Sequence, residues 1–371
     1  MGNNKRLEWL DALRGFTMIM VVAYHVAQMC YGINLKTSAS MPFVVLFRMP
    51  LFFFVSGFLA WKPEMLWTPV RLGMAVWKKV KIQMIPTLVF LCVCIVVRHP
   101  HFWETLVDTL HRPTKSGYWF TWALLVMFIV YYLFDYITRP TPRPLPVREG
   151  AGGGSGVPHW SIWLLWAVSL VLYEMTYLPK VFTWPKSEFM QWSSLIMVVQ
   201  YLHFFLFGNI VHRYWHRVER LMDTRWFFIL MVVVAFFATA DTLKWHTLRF
   251  AWTNLPRTVS MYSLMMIIVM TFRHYEQALS KQTRIGRALQ YIGIRTLDIY
   301  LLHFILMPKV PQVGIWFNAN RPNIVLEQTA TIAMALLVIA ACCLVSHVLR
   351  VSPVLKKYLF GRGTKKANPE P

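Results

Sequence analysis

The chain is poor in acid: Asp and Glu total 16 of its 371 residues, against 38 Lys and Arg, for a formal charge of +22. It has only five cysteines (Cys30, Cys92, Cys94, Cys342, Cys343), all within apolar runs and none at metal-ligand spacing. Neither a disulfide framework nor a metal site is therefore expected, and the thiols read as small packing residues. No polar stretch is long enough to fold as a soluble domain, the longest loop being near twenty residues. An internal repeat is missing, which counts against inverted-repeat transporter designs. A chain of intramembrane acids, the usual proton relay of pumps, is missing too. The short basic leader lacks a small-residue cleavage site, so a cleaved signal is not expected.

What the chain has is hydrophobicity: 57% of its residues are apolar, delivered in runs of about twenty broken by short basic loops. The fold class this predicts is all-α, a polytopic membrane bundle in one domain over 1–371. Ten spans are expected, at about 15–34, 44–61, 76–97, 117–138, 160–178, 193–211, 226–243, 256–272, 291–308 and 325–349. With both termini cytoplasmic, the inside segments carry 24 basic residues and the outside loops 10, leaving Arg14, Arg48, Arg257 and Arg295 in or at the edge of spans. The positive charge is then explained by topology and contact with anionic lipid rather than by nucleic acid, and a polyanionic donor would also be drawn to that face. The Pro/Gly-rich segment 139–158 is expected to be a flexible cytoplasmic linker, and 350–371 a short basic cytoplasmic tail.

Chemistry concentrates at a few positions. Arg14 and His25 are eleven residues apart, which on an α-helix turns through about 1100° and rises about 16 Å, so both occupy nearly one face, one at the membrane surface and one near its centre. A mid-membrane histidine is suited to proton transfer, the alternative being a hydrogen-bonded packing role. Arg48 in the second span needs a partner, whereas Ser56-Gly57 permits either close packing or ligand approach. Trp119 and Trp122 share a helical face and read as interfacial anchors or as stacking platforms for a sugar or adenine. Thr296, Tyr300 and His303 form a polar stripe at i, i+4 and i+7, and Arg295 and Asp298 are expected to pair locally. Glu174 is the one carboxylate read as lying well inside the membrane, able to balance an arginine or tune a histidine.

Several segments in order, RLEWLDALRG with His25 ten residues beyond, FRMPLFFFVSGF, YWFTWALL, FFLFGNIV and TLDIYLLHF, resemble the membrane-bound acyltransferase family 3 over nearly the whole chain. The resemblance implies a bundle of about ten spans in a bacterial plasma membrane that moves an acyl group, commonly acetyl, from acetyl-CoA to a surface glycan or lipid-linked oligosaccharide. Acyl-CoA enters as a donor substrate, with no permanently bound cofactor or metal. Membrane lipids are the other partner, and nucleic acid is not one. By position, His25 is the implied catalytic residue, as base or acyl relay. Arg14 is its motif partner and a donor contact. Arg48 and Ser56-Gly57-Phe58 are the implied lining of the second-span site. Trp119, Trp122, Glu174, Tyr300 and His303 are the candidates for substrate binding. A proton-coupled transporter or lipid-linked sugar flippase is the competing function, since it would use the same buried histidines and arginines.

Overall fold

A computed structural model describes residues 7–33, 35–139, 160–178, 183–242, 254–320 and 323–352. The expected linker, apart from Arg139, and the tail beyond Ser352 lie outside the described residues.

No strand occurs among the described residues, as lipid demands of a chain whose backbone donors and acceptors must be satisfied within each segment. The helices in order are α1 (Glu8–His25), α2 (Met41–Val44), α3 (Arg48–Ala60), α4 (Pro69–Lys79), α5 (Ile85–Arg98), α6 (Phe102–His111), α7 (Trp119–Thr138), α8 (Ser161–Met175) and α9 (Glu188–Trp192). They continue with α10 (Leu195–Arg213), α11 (Trp215–Met222), α12 (Arg225–Thr242), α13 (Leu255–His274), α14 (Arg284–Ile294), α15 (Thr296–Leu306), α16 (Pro311–Asn320) and α17 (Ile324–Leu349). Local sequence sets many of the boundaries. Thr68, Thr283 and Asn323 accept backbone N–H groups as N-caps, and Pro69 and Pro256 occupy first turns where a missing N–H costs nothing. Two π-helical turns extend helices, Val26–Cys30 directly after His25 and Val80–Met84 between α4 and α5. Such turns widen the helix and re-aim side chains, and they gather at functional sites.

The ten expected spans all fall on helix, but not all as simple crossings. Among the described residues, seven helical stretches are long and apolar enough to cross a membrane, or up to nine if two bent pairs each count as one. One pair joins α11 to α12 through 80°, and the other joins α15 to α16 through 88°. The ninth expected span is thus a short helix, α15, that turns sharply, and α8 has only 15 residues.

The bundle is organised around α1, which packs against α3, α13, α14, α15 and α17. Its most apolar window is 78% buried, against 28% for the peripheral α17, so the helix carrying Arg14 and His25 is the axis of the molecule. Helices α3 and α10 cross in direct backbone contact: a Cβ on Gly57 would lie 1.7 Å from the Phe205 carbonyl oxygen, and one on Gly208 would lie 2.0 Å from that of Phe54. Only glycine permits this approach, which fixes the face that α3 turns toward α1.

Candidate functional site

α1 and α15 run side by side, and the polar stripe of α15 meets the polar face of α1. At one end, Arg14 donates from Nη2 to the Thr296 hydroxyl at 3.1 Å and lies 3.5 Å from Asp11. Further along, His25 Nδ1 and His303 Nε2 are 2.9 Å apart with their rings nearly parallel. The tautomers follow from the next bond. His303 Nδ1 sits 3.0 Å from the Ile299 carbonyl, which can only accept, so Nδ1 carries the proton and the neutral ring offers Nε2 as an acceptor. His25 therefore donates from Nδ1, and its Nε2 is left with a free lone pair and no partner among the described residues. His303 is fully buried, whereas His25 is only partly so. Such a pairing holds His25 in one tautomer, with an open lone pair that could act as a base.

The neighbours hold that pair in place. The Phe304 ring packs 5.0 Å from His25 and 3.9 Å from His303. Behind it lies the backbone before α7, where Lys115 (φ 45°), Ser116 (φ 50°) and Gly117 (φ 97°) are all left-handed. A Cβ on Gly117 would sit 2.2 Å from the Phe304 ring, and the Gly117 carbonyl accepts the Tyr300 hydroxyl at 2.7 Å. The Arg48 guanidinium stacks 3.5 Å over Tyr24, the residue preceding His25.

From the Arg14 end, a cavity of about 560 Å³ opens into the bundle. Its mouth carries Lys62, Arg71, Lys78 and Lys79 with Arg14, and its walls include Ser56, Thr296 and Leu124. Lys79 lies over the Phe128 ring at 3.4 Å, and the Val80–Met84 π-turn contributes Ile82 and Gln83 to the wall. Asp135 also faces the cavity, but Arg213 (2.9 Å), Arg139 and the Trp67 indole N–H converge on it, so the mouth stays cationic. The inner end stops at Phe52, Phe120 and Tyr300, with the Phe120 ring in contact with each of the other two. His25 is not in the lining: Tyr300, 5.9 Å from His303, stands between.

The structure thus brings Arg14, Ser56, Tyr300, His303 and His25 onto one path. It does not bring every expected residue there. Gly57 serves the α3–α10 crossing, and Phe58 stacks on His212 at 4.2 Å beside Trp9 and Trp215, outside the cavity. Trp119 stacks on Tyr201 at 5.5 Å, and Trp122 lies 5.6 Å from the Lys115 ammonium, both toward the His25 end. Glu174 accepts from the Thr258 hydroxyl at 2.6 Å, away from both histidines of the pair. The expected Arg295–Asp298 pair does not form. Asp298 binds Arg350 at 2.6 Å and Ser346 at 2.8 Å, because α17 packs on α15 there, and Arg295 stacks on Tyr291 instead. Sequence reading also passed over Asp135 and Glu327, although each is a carboxylate within an apolar span. Glu327 is buried and clamps the Ser38–Ser40 turn through both hydroxyls and the N–H groups of Ala39 and Ser40. Among the described residues, no three His, Cys, Asp or Glu side chains gather as metal ligands.

A family model described as an acyltransferase domain matches residues 7–350. No curated protein and no solved structure matches the chain.

Proposed function

The chain belongs to the membrane-bound acyltransferase family 3, and from that premise we propose that it carries an acyl group, acetyl in the first instance, from cytoplasmic acyl-CoA to a hydroxyl of an extracytoplasmic or lipid-linked glycan. The observation that carries this reading is the His303–His25 relay beyond the end of a cation-mouthed cavity: a polyanion site and a poised base, reached from opposite ends of one central helix. The Arg14 end, where Lys62, Arg71, Lys78, Lys79, Arg213 and Arg350 gather, is assigned to the cytoplasm by the excess of basic charge. Both termini then face the cytoplasm, and the membrane is a bacterial inner membrane.

In this reading the phosphates of CoA lie among Arg14, Lys62, Arg71, Lys78 and Lys79, and the pantetheine arm runs along Ser56 and Leu124 toward Phe52. The Tyr300 hydroxyl is pinned, donating to the Gly117 carbonyl and accepting from Phe120 N–H at 3.2 Å, so Phe52 is the side chain that yields to let the thioester reach His25. His25 Nε2 takes the proton of the acceptor hydroxyl as its oxygen attacks the thioester carbonyl. The His303 acceptor stabilises the imidazolium that forms. Arg48 offers its guanidinium to the negative charge growing on the carbonyl oxygen. The carbon–sulfur bond then breaks, and His25 returns the proton to the departing thiolate, which leaves as free CoA thiol.

The test is direct. Purified protein incubated with labelled acetyl-CoA, with and without candidate glycans, should release CoA and label the glycan, and His25→Ala should lose at least about 10² of that rate. Retention of more than about a tenth of the activity would remove His25 from the chemistry.

A further inference from the structure

Two arginines at the His25 end have no carboxylate and no hydrogen-bond acceptor among the described residues. Arg48 and Arg257 each bury an unpartnered Nε, and each is otherwise in contact with an aromatic face, Arg48 over Tyr24 at 3.5 Å and Arg257 over Tyr177 at 6.0 Å. An arginine within a span is costly unless it meets an anion or a wet cavity. Each also stands in the first turn of its helix, α3 or α13, where the positive end of the helix dipole adds to its charge instead of offsetting it. Tyr201 links the two: both guanidiniums, with Tyr24 and Tyr177, lie within electrostatic range of its hydroxyl. Tyr201 stacks with Trp119 at 5.5 Å and with Phe53 at 5.0 Å, and this cluster gives the site an aromatic wall. One acid adjoins the group, Glu174, held by Thr258 and with its other oxygen unpartnered. Two guanidiniums against one carboxylate leave the site a net cation.

We propose that the acceptor is an acidic glycan, one carrying a carboxylate or phosphate close to the acylated hydroxyl, and that Arg257 together with Arg48 holds that anion while Trp119 and Tyr201 take the sugar ring. The inference rests on the acyltransferase reading above and adds the acceptor's charge to it. Arg48 then has two neighbours to serve, the acceptor anion and the reacting carbonyl, whereas Arg257 acts on the acceptor alone. Orientation follows from this division. An anion fixed at two guanidiniums and a ring fixed on an aromatic face leave one hydroxyl directed at His25.

The experiment keeps the protein intact and changes the acceptor's charge. Wild-type protein is given labelled acetyl-CoA and a uronate-containing oligosaccharide, either as the free acid or as its methyl ester, which has the same shape without the charge. A parallel arm compares a polyprenyl-diphosphate-linked neutral sugar with the same sugar on a neutral lipid. The acid should exceed the ester in kcat/KM by about tenfold to a hundredfold, the worth of a charge-assisted hydrogen bond, if the anion is a carboxylate. The corresponding preference in the second arm identifies a phosphate. Arg257→Ala and Arg257→Gln should collapse the preference toward unity, with donor KM serving as the check that the fold survives. Equal turnover of charged and neutral acceptors in both arms would overturn the proposal while leaving acyl transfer intact. Transfer to no acceptor at all would instead count against the acyltransferase mechanism on which it rests. Should the Arg257 variants fail to fold, the wild-type comparison decides alone.

Discussion

Replacing His303 with alanine isolates the relay from the base. In the intact site, His25 Nδ1 donates to His303 Nε2 at 2.9 Å, and the Ile299 carbonyl fixes the His303 tautomer at 3.0 Å. His303→Ala removes the acceptor that stabilises the imidazolium forming on His25. A hydrogen bond to a charged group is worth about 1.5–3 kcal/mol, and at about 1.4 kcal/mol per factor of ten this is roughly a 10- to 140-fold loss in kcat. The loss should fall on kcat rather than on donor KM, because His303 lies behind Tyr300 as seen from the cavity. His303→Gln, whose amide oxygen can accept from His25, should recover part of it. In a cycle with His25→Ala, the double variant should be no slower than His25→Ala alone, since the two side chains act as a unit. Steady-state release of CoA thiol with a saturating acceptor measures each rate, and thermal unfolding of the detergent-solubilised protein checks that the fold is retained. A His303→Ala protein with wild-type kcat, or a double variant slower by the product of the two single losses, would refute the relay.

The cation-mouthed cavity predicts that Lys78→Gln/Lys79→Gln raises donor KM by about ten- to a hundredfold and flattens its rise with salt, since exposed charges are screened over about 10 Å at 0.1 M; an unchanged salt dependence would move the donor elsewhere. Gly57→Ala should lower stability by about 1–3 kcal/mol as α3 and α10 are forced apart, read as a drop in Tm, with donor affinity changing little in the protein that remains folded. The assigned orientation predicts that a cysteine placed at His111 reacts with an impermeant reagent in intact cells while one placed at Arg284 is shielded, and the reverse pattern would invert the bundle.

Much of this architecture is legible in the chain because lipid leaves few choices: an apolar run with backbone to satisfy becomes helical, and the expected spans fall on helix, some of them across two helices. The stripe Thr296, Tyr300, His303 was readable from spacing alone, and so was the shared face of Arg14 and His25. What spacing does not contain is which stripes meet. That His25 bonds His303, and that Arg14 reaches Thr296, are contacts across about 280 residues, set by the packing of α15 on α1. The same limit governs Asp298, whose nearest arginine in sequence is Arg295 but whose partner is Arg350 on α17. Gly57 looked equally able to admit a ligand or a helix, and only the position of Phe205 decides for the helix. Bends are likewise hidden from hydropathy: α15 is apolar to its end, and Pro308 with Pro311 gives only a local hint of the 88° turn into α16.

The claim that most needs testing is that the acyl group crosses the membrane within one protein, past His25. Oriented proteoliposomes can hold labelled acetyl-CoA on the side of Lys78 and Lys79 and acidic glycan only on the other. Labelled glycan should then accumulate on the acceptor side in wild type and not in His25→Ala. Labelling only when donor and acceptor share a compartment, or labelling undiminished in His25→Ala, would contradict the account.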